Sequence, residues 1–196
     1  MLNSKQQSLA LLGKYVATGD QGRLKAMLNQ AFDSGSLTIN DAKDAMVQLY
    51  AYCGFPRSLN ALATLMAVVS ERSEKGLATE AGRAASALPA NFDSLQTGKA
   101  TQTQLVGQEV KGGLFDFAPE ANRYLQAHLF GDIFASDLLN WQEREILTLG
   151  ALGATADTVP QYGSHKGIAQ HNGLSDGQIA AIEQLIADEG AVSAPL

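Results

Sequence analysis

Apolar residues recur every three to four positions along almost the whole chain, and no stretch alternates apolar with polar at the two-residue period of a half-buried strand. The pattern predicts an all-α fold. Asp20 is placed as an N-cap, with Leu24, Met27, Leu28, Ala31 and Phe32 on one face behind it and Gly35 closing the helix. Thr38 caps the next helix, supported by Asp41 three residues on; its inner face is Ala42, Ala45, Met46 and Leu49, and it stops at Cys53-Gly54. Pro56 suits the first turn of a following helix, for which Leu59, Leu62, Met66 and Val69 are the expected buried stripe. Further on, Pro119 opens a helix through Leu125 and Leu129, and Asn140 with Glu143 starts one bearing Ile146, Leu147 and Leu149. Pro160 opens a helix that ends near Gly173. Ser175 caps the last, with Ile179, Ile182, Leu185 and Ile186 inward and Gly190 after it.

Between Ala78 and Gly113 the chain turns to Gly, Ser, Thr, Gln and Ala, and helical periodicity fades. This segment reads as a connector, too long for a plain loop and expected to hold short helices or to cover a site. A shift of 137 residues then relates the two ends: it lays Leu12-Gly13 on Leu149-Gly150, Ala17-Thr18 on Ala154-Thr155, Asp20 on Asp157, and the cap Thr38 on the cap Ser175. Five of the 21 positions from Ser8 to Leu28 are identical without a gap. Residues 1–77 therefore read as a first helical unit, 78–113 as the connector and 114–196 as a second unit, together one compact domain.

Composition narrows the functional classes. At 196 residues the chain is long enough for a single core burying roughly 70% of its unfolded surface. Its 14 Lys and Arg against 20 Asp and Glu give a formal charge of −6 with no basic cluster, which argues against nucleic acid or an anionic membrane as partner. One cysteine, Cys53, excludes an internal disulfide or a Cys-x-x-Cys redox pair. The apolar run Leu9 to Leu12 is too short for a signal-peptide core or a span, so a cytoplasmic location is the expectation. No metal-ligand spacing stands out, and the pair Gly112-Gly113 reads as a turn rather than a phosphate loop.

The repeat also separates the residues that could carry chemistry. Glu145 falls on Ser8 and His165 on Leu28, so the second unit has an acid and an imidazole where the first has small or apolar side chains. Tyr52-Cys53-Gly54-Phe55-Pro56-Arg57 belongs to the first unit, while its counterpart, from Glu189 onward, reads as a frayed tail.

Glu143-Arg144-Glu145-Ile146-Leu147, Gln161-Tyr162-Gly163-Ser164-His165, Gly173-Leu174-Ser175, the Tyr52 to Arg57 segment and His128 to Phe134 together resemble the carboxymuconolactone decarboxylase family, within the alkylhydroperoxidase D-like all-α superfamily. The resemblance implies that fold, self-association into a homo-oligomer, and Glu145 and His165 as acid and imidazole of a carboxy-lyase working without a cofactor. It also implies a small carboxylate-bearing lactone or related compound as substrate, with Arg57 or Arg144 on the carboxylate and Tyr52, Gln161 and His128 as further substrate contacts. The peroxidase branch of the superfamily carries a cysteine pair seven and four residues before the histidine; here those positions are Thr158 and Gln161, which form no sulfenic acid or disulfide.

Plain structural readings stand beside these. Glu145 could pair with a surface cation, His165 could sit on a half-buried face, Arg57 could be tied to a carboxylate, and Cys53 has the neighbours of a small core residue. Two other functions stay open: a peroxidase-like thiol enzyme using Cys53 with an outside reductant, and a non-catalytic helical module that binds ligands or assembles.

Overall fold

Two helices that are apolar on almost every face have to lie at the centre of a helical protein. The computed structural model, which describes residues 1–188, places α1 (Ser4–Thr18) along α8 (Trp141–Gly153) in that position. Leu9, Ala10 and Leu12 to Ala17 are buried on α1, and every residue from Arg144 to Leu152 is buried on α8. Gly13 and Gly150 let the two backbones touch. A Cβ on Gly13 would collide with the Leu147 carbonyl oxygen, and one on Gly150 with that of Ala10.

Around this pair, α2 (Gln21–Ser34), α3 (Ile39–Cys53) and α4 (Phe55–Glu74) pack on α1, while α9 (Val159–His171) and α10 (Asp176–Ala187) pack on α8. α5 (Ser94–Val106) lies against a π-helical run, Leu125–Ile133, which continues from the short helices α6 (Leu114–Phe117) and α7 (Pro119–Tyr124). That second contact is again made through glycines, Gly98 and Gly131, and carries its own apolar cluster of Leu105, Leu129, Phe130, Ile133 and Phe134. Every regular element among the described residues is helical, as the periodicity requires. None of these helices is long and apolar enough to cross a membrane.

Local signals set most boundaries. Asn3, Thr38, Asn140 and Ser175 each form a reciprocal capping box with the residue three positions on. Asp20 caps α2, and Gly19 and Gly35 end α1 and α2 in the left-handed conformation that glycine adopts without strain. Helix starts coincide under the 137-residue shift at Ser4 and Trp141, Gln21 and Val159 within one residue, and Ile39 and Asp176.

Two expectations are corrected. On α4 the buried face is Ser58, Ala61, Leu65, Val68 and Arg72, whereas Leu59 is 58% and Met66 71% exposed. The helix carries no charge from Ser58 to Ser70, so periodicity could not choose between its two apolar faces. Arg72 decides it: its buried guanidinium bonds Asp33, Thr79 and the Ala78 carbonyl, turning the small-residue side inward. The helix from Pro119 stops being α-helical at Tyr124, and Leu125 to Ile133 takes the wider π geometry. The expected counterpart of Tyr52–Arg57, from Glu189 on, and the expected stop at Gly190 lie outside the described residues.

The crossing yields the first prediction. Gly150→Ala puts a methyl into the Ala10 backbone and is expected to cost at least ~1–3 kcal/mol, the range for overpacking a close-packed site. Gly163→Ala, on an open helix face, should be neutral or stabilising by up to ~1 kcal/mol. Urea unfolding of the two variants measures the contrast; equal midpoints would show that the helices do not meet there.

Candidate active site

Because α8 is enclosed, any carboxylate on it has to find a partner inside the protein. Glu145 is such a residue, with no exposed surface. The partner comes from α9, which Pro160 starts and which lies across α8 with Ala169 as its one fully buried side chain. His165 reaches inward, 12% exposed, and its Nδ1 stands 2.7 Å from Glu145 Oε2. Facing an ionised carboxylate, which only accepts, Nδ1 is the donor, and in a neutral ring Nε2 then keeps the lone pair.

Tyr52, at the end of α3, meets the imidazole edge-on with ring centres 5.4 Å apart. Its buried hydroxyl, alongside Thr148, makes no well-aligned hydrogen bond, and Glu145 Oε1 is likewise buried without one. Burial, reinforced by the Glu145 charge, pushes the Tyr52 phenol far above its ordinary value, so it remains a proton donor.

Tyr52 and His165 line a cleft of about 750 Å³, within the usual size for a small-molecule site. α5 contributes Gln102 and Val106, the π-helical run Leu125, Leu129 and Phe130, and α9 Gln161, Ser164 and Ile168. Two other clefts, of about 590 and 870 Å³, hold no imidazole in their walls. The segment 78–113 thus does more than join two halves, since Gln102, Val106 and Val110 all belong to the cleft wall.

Several expected contacts lie elsewhere. Arg144 is fully buried and absent from the cleft wall, donating from Nη1 to Gln48 Oε1 at 2.8 Å and from Nη2 to Asp44 Oδ2 at 2.9 Å and Ser136 O at 2.7 Å. Its donors tie α8 to α3, which leaves it a structural clamp instead of a carboxylate-binding group. Arg57 is exposed on the first turn of α4 and is absent from the cleft wall, so the expected meeting of Arg57 with His165 is not found within the chain. His128 is half exposed, paired to Asp132 at 2.8 Å and packed by Tyr50, also outside the wall. Cys53 is partly buried against the main core; burial pushes its thiol up to about 11, with Arg57 pulling weakly the other way.

Of the residues expected at the site, Glu145, His165, Tyr52 and Gln161 come together. Gln102, Phe130 and the Leu125–Leu129 wall were not anticipated: Gln102 lies where periodicity fades, and the π geometry that aligns the others has no signature in a 3.6-residue pattern. No protein-family model matches the chain, and no curated protein matches it significantly.

The Cys53 environment gives the second prediction. Only the thiolate is alkylated, and burial disfavours it, so the rate of iodoacetamide labelling of the folded protein should keep rising with pH to a midpoint near 11. Mass spectrometry of labelling time courses reads this directly. A midpoint below 8 would restore Cys53 as an activated nucleophile.

Proposed function

We propose that the chain is an acid/base enzyme of the carboxymuconolactone decarboxylase kind, in which the Glu145–His165 pair moves a proton on a small molecule seated in the cleft. The observation that carries this reading is the 2.7 Å hydrogen bond between a fully buried carboxylate and an imidazole that forms part of the cleft wall. Glu145 holds the tautomer whose Nε2 accepts a proton, and its charge stabilises the imidazolium that results. The same imidazolium then returns the proton to the carbon or oxygen on which negative charge has gathered.

The reading includes an ancestral duplication of one helical unit on the alkylhydroperoxidase D-like plan. Supporting it are the matching helix starts, the paired capping boxes and the reciprocal contact of Gly13 with Gly150. The first unit has closed its equivalent of the site: Leu28 is wholly buried in the core, and Ser8 bonds Ser36 through their hydroxyls at 2.8 Å. One site per chain follows.

Activity is tested by hydrogen–deuterium exchange at activated C–H bonds of small lactones and ketones in deuterated water, followed by NMR. His165→Ala should lower exchange by ~10²–10⁴-fold, the usual contribution of a positioned acid/base group, and Glu145→Gln should lower it through loss of the tautomer while leaving the cleft intact. Nitrogen NMR of His165 should show a proton on Nδ1 at pH 8. A proton on Nε2 there would overturn the assigned roles.

A further inference from the structure

The expected carboxylate-bearing substrate finds no cation in this cleft. Among the described residues of its wall none is Lys or Arg. Arg144 is engaged with Asp44 and Arg57 stands on the surface of α4. Behind the wall the Glu145 carboxyl group is bonded to His165, and the Arg144 guanidinium, whose charge also reaches Tyr52, is held by Asp44, Gln48 and the Ser136 carbonyl. A second anion entering beside the Glu145–His165 pair meets a like charge with no compensating donor cation.

The remaining wall is apolar or neutral. Val106, Phe115, Leu125, Leu129, Phe130 and Ile168 offer hydrocarbon and aromatic surface. Gln102, nearly buried, accepts through Oε1 from Gln126 at 3.0 Å, which leaves its amide N–H groups as donors suited to a carbonyl oxygen. Ser164 spends its hydroxyl proton on the Pro160 carbonyl at 3.1 Å and adds no charge.

We infer that the site takes an uncharged, mainly apolar carbonyl compound, such as a neutral lactone with an alkyl arm, in place of a free carboxylate. The apolar arm lies along the Leu125–Leu129–Ile168 wall, the carbonyl faces the amide donors, and the reacting proton passes to His165 Nε2. This deepens the acid/base reading and rests on it for the last point alone.

A matched pair of probes separates charge from shape: δ-decalactone and its ring-opened anion, 5-hydroxydecanoate, share one carbon skeleton. Calorimetric titration of the full chain at pH 7.5 should give at least ~10-fold tighter binding of the lactone, equivalent to ~1.4 kcal/mol. Methyl NMR should place it against Leu125 and Ile168. Gln161→Arg, at an exposed position of the wall, should raise affinity for the anion by at least ~10-fold, and Val106→Trp should abolish lactone binding. Equal or tighter binding of the anion by the unaltered chain, no binding of either probe at millimolar concentration, or lactone binding indifferent to Val106→Trp would each overturn the inference. Repeating the titration with His165→Ala keeps the two readings apart. Lactone preference retained in that variant, with exchange activity no lower than in the unaltered chain, sinks the proton-transfer role and leaves the substrate class standing; normal exchange with preference for the anion does the reverse.

Discussion

The contact of α1 with α8 through Gly13 and Gly150 sets the depth at which everything else in this protein sits. Without side chains at the crossing, the two helix axes come close enough for the backbone of one to touch the other, and α8 is enclosed on all sides from Arg144 to Leu152. Glu145 lies five residues before Gly150, a rise of about 7.5 Å along the helix. Its carboxylate is therefore committed to the interior by a packing decision made more than a turn away. A surface glutamate would have had water for a partner; this one has His165.

Neighbouring positions on α8 show how the interior handles charge. Arg144 and Glu145 are about 100° apart around the helix and face different partners. Arg144 reaches Asp44, Gln48 and the Ser136 carbonyl, and Gln48 in turn donates from Nε2 to the Arg144 carbonyl at 3.1 Å and to Thr148 at 3.0 Å. That network fastens α3 to α8 and leaves the Arg144 Nε buried without a partner. Glu145, in contrast, uses one oxygen on His165 and leaves the other buried without a partner. The same stretch of helix thus holds a cation bonded through both Nη atoms and an anion bonded through one oxygen, each with one buried polar atom left unpartnered.

What the sequence made legible followed from short-range chemistry. Caps at Asp20, Thr38, Asn140 and Ser175 and the faces of α2 and α3 all depend on a few residues at fixed spacing, whereas Glu145 and His165, twenty positions apart, were joined only by the family resemblance. The errors came where two answers had equal local support. α4 has apolar residues on both sides, and the choice was made by Arg72 finding Asp33 some 40 positions away. Arg144 and Arg57 looked alike as carboxylate binders because nothing local reveals that one is enclosed beside Asp44 and the other left in solvent. α5 was muted by its Gly, Thr and Gln content, and it packs through Gly98 against Gly131, a contact that no apolar pattern announces.

The π-helical run from Leu125 to Ile133 ties the shape of the cleft to a count of residues. With hydrogen bonds spanning five positions, side chains four and five apart share a side, and Leu125, Leu129 and Phe130 form one wall. At ordinary α pitch, Phe130, five residues on, would stand about 140° round the helix from Leu125 and would leave it. Chain length in this run is consequently a determinant of the cleft's shape in its own right: deletion of a single residue would re-phase the wall without altering the chemistry of any side chain that remains. Related chains that differ by one residue here would present different apolar surfaces to the same acid–imidazole pair, a route to altered selectivity that alignment of side chains alone would miss.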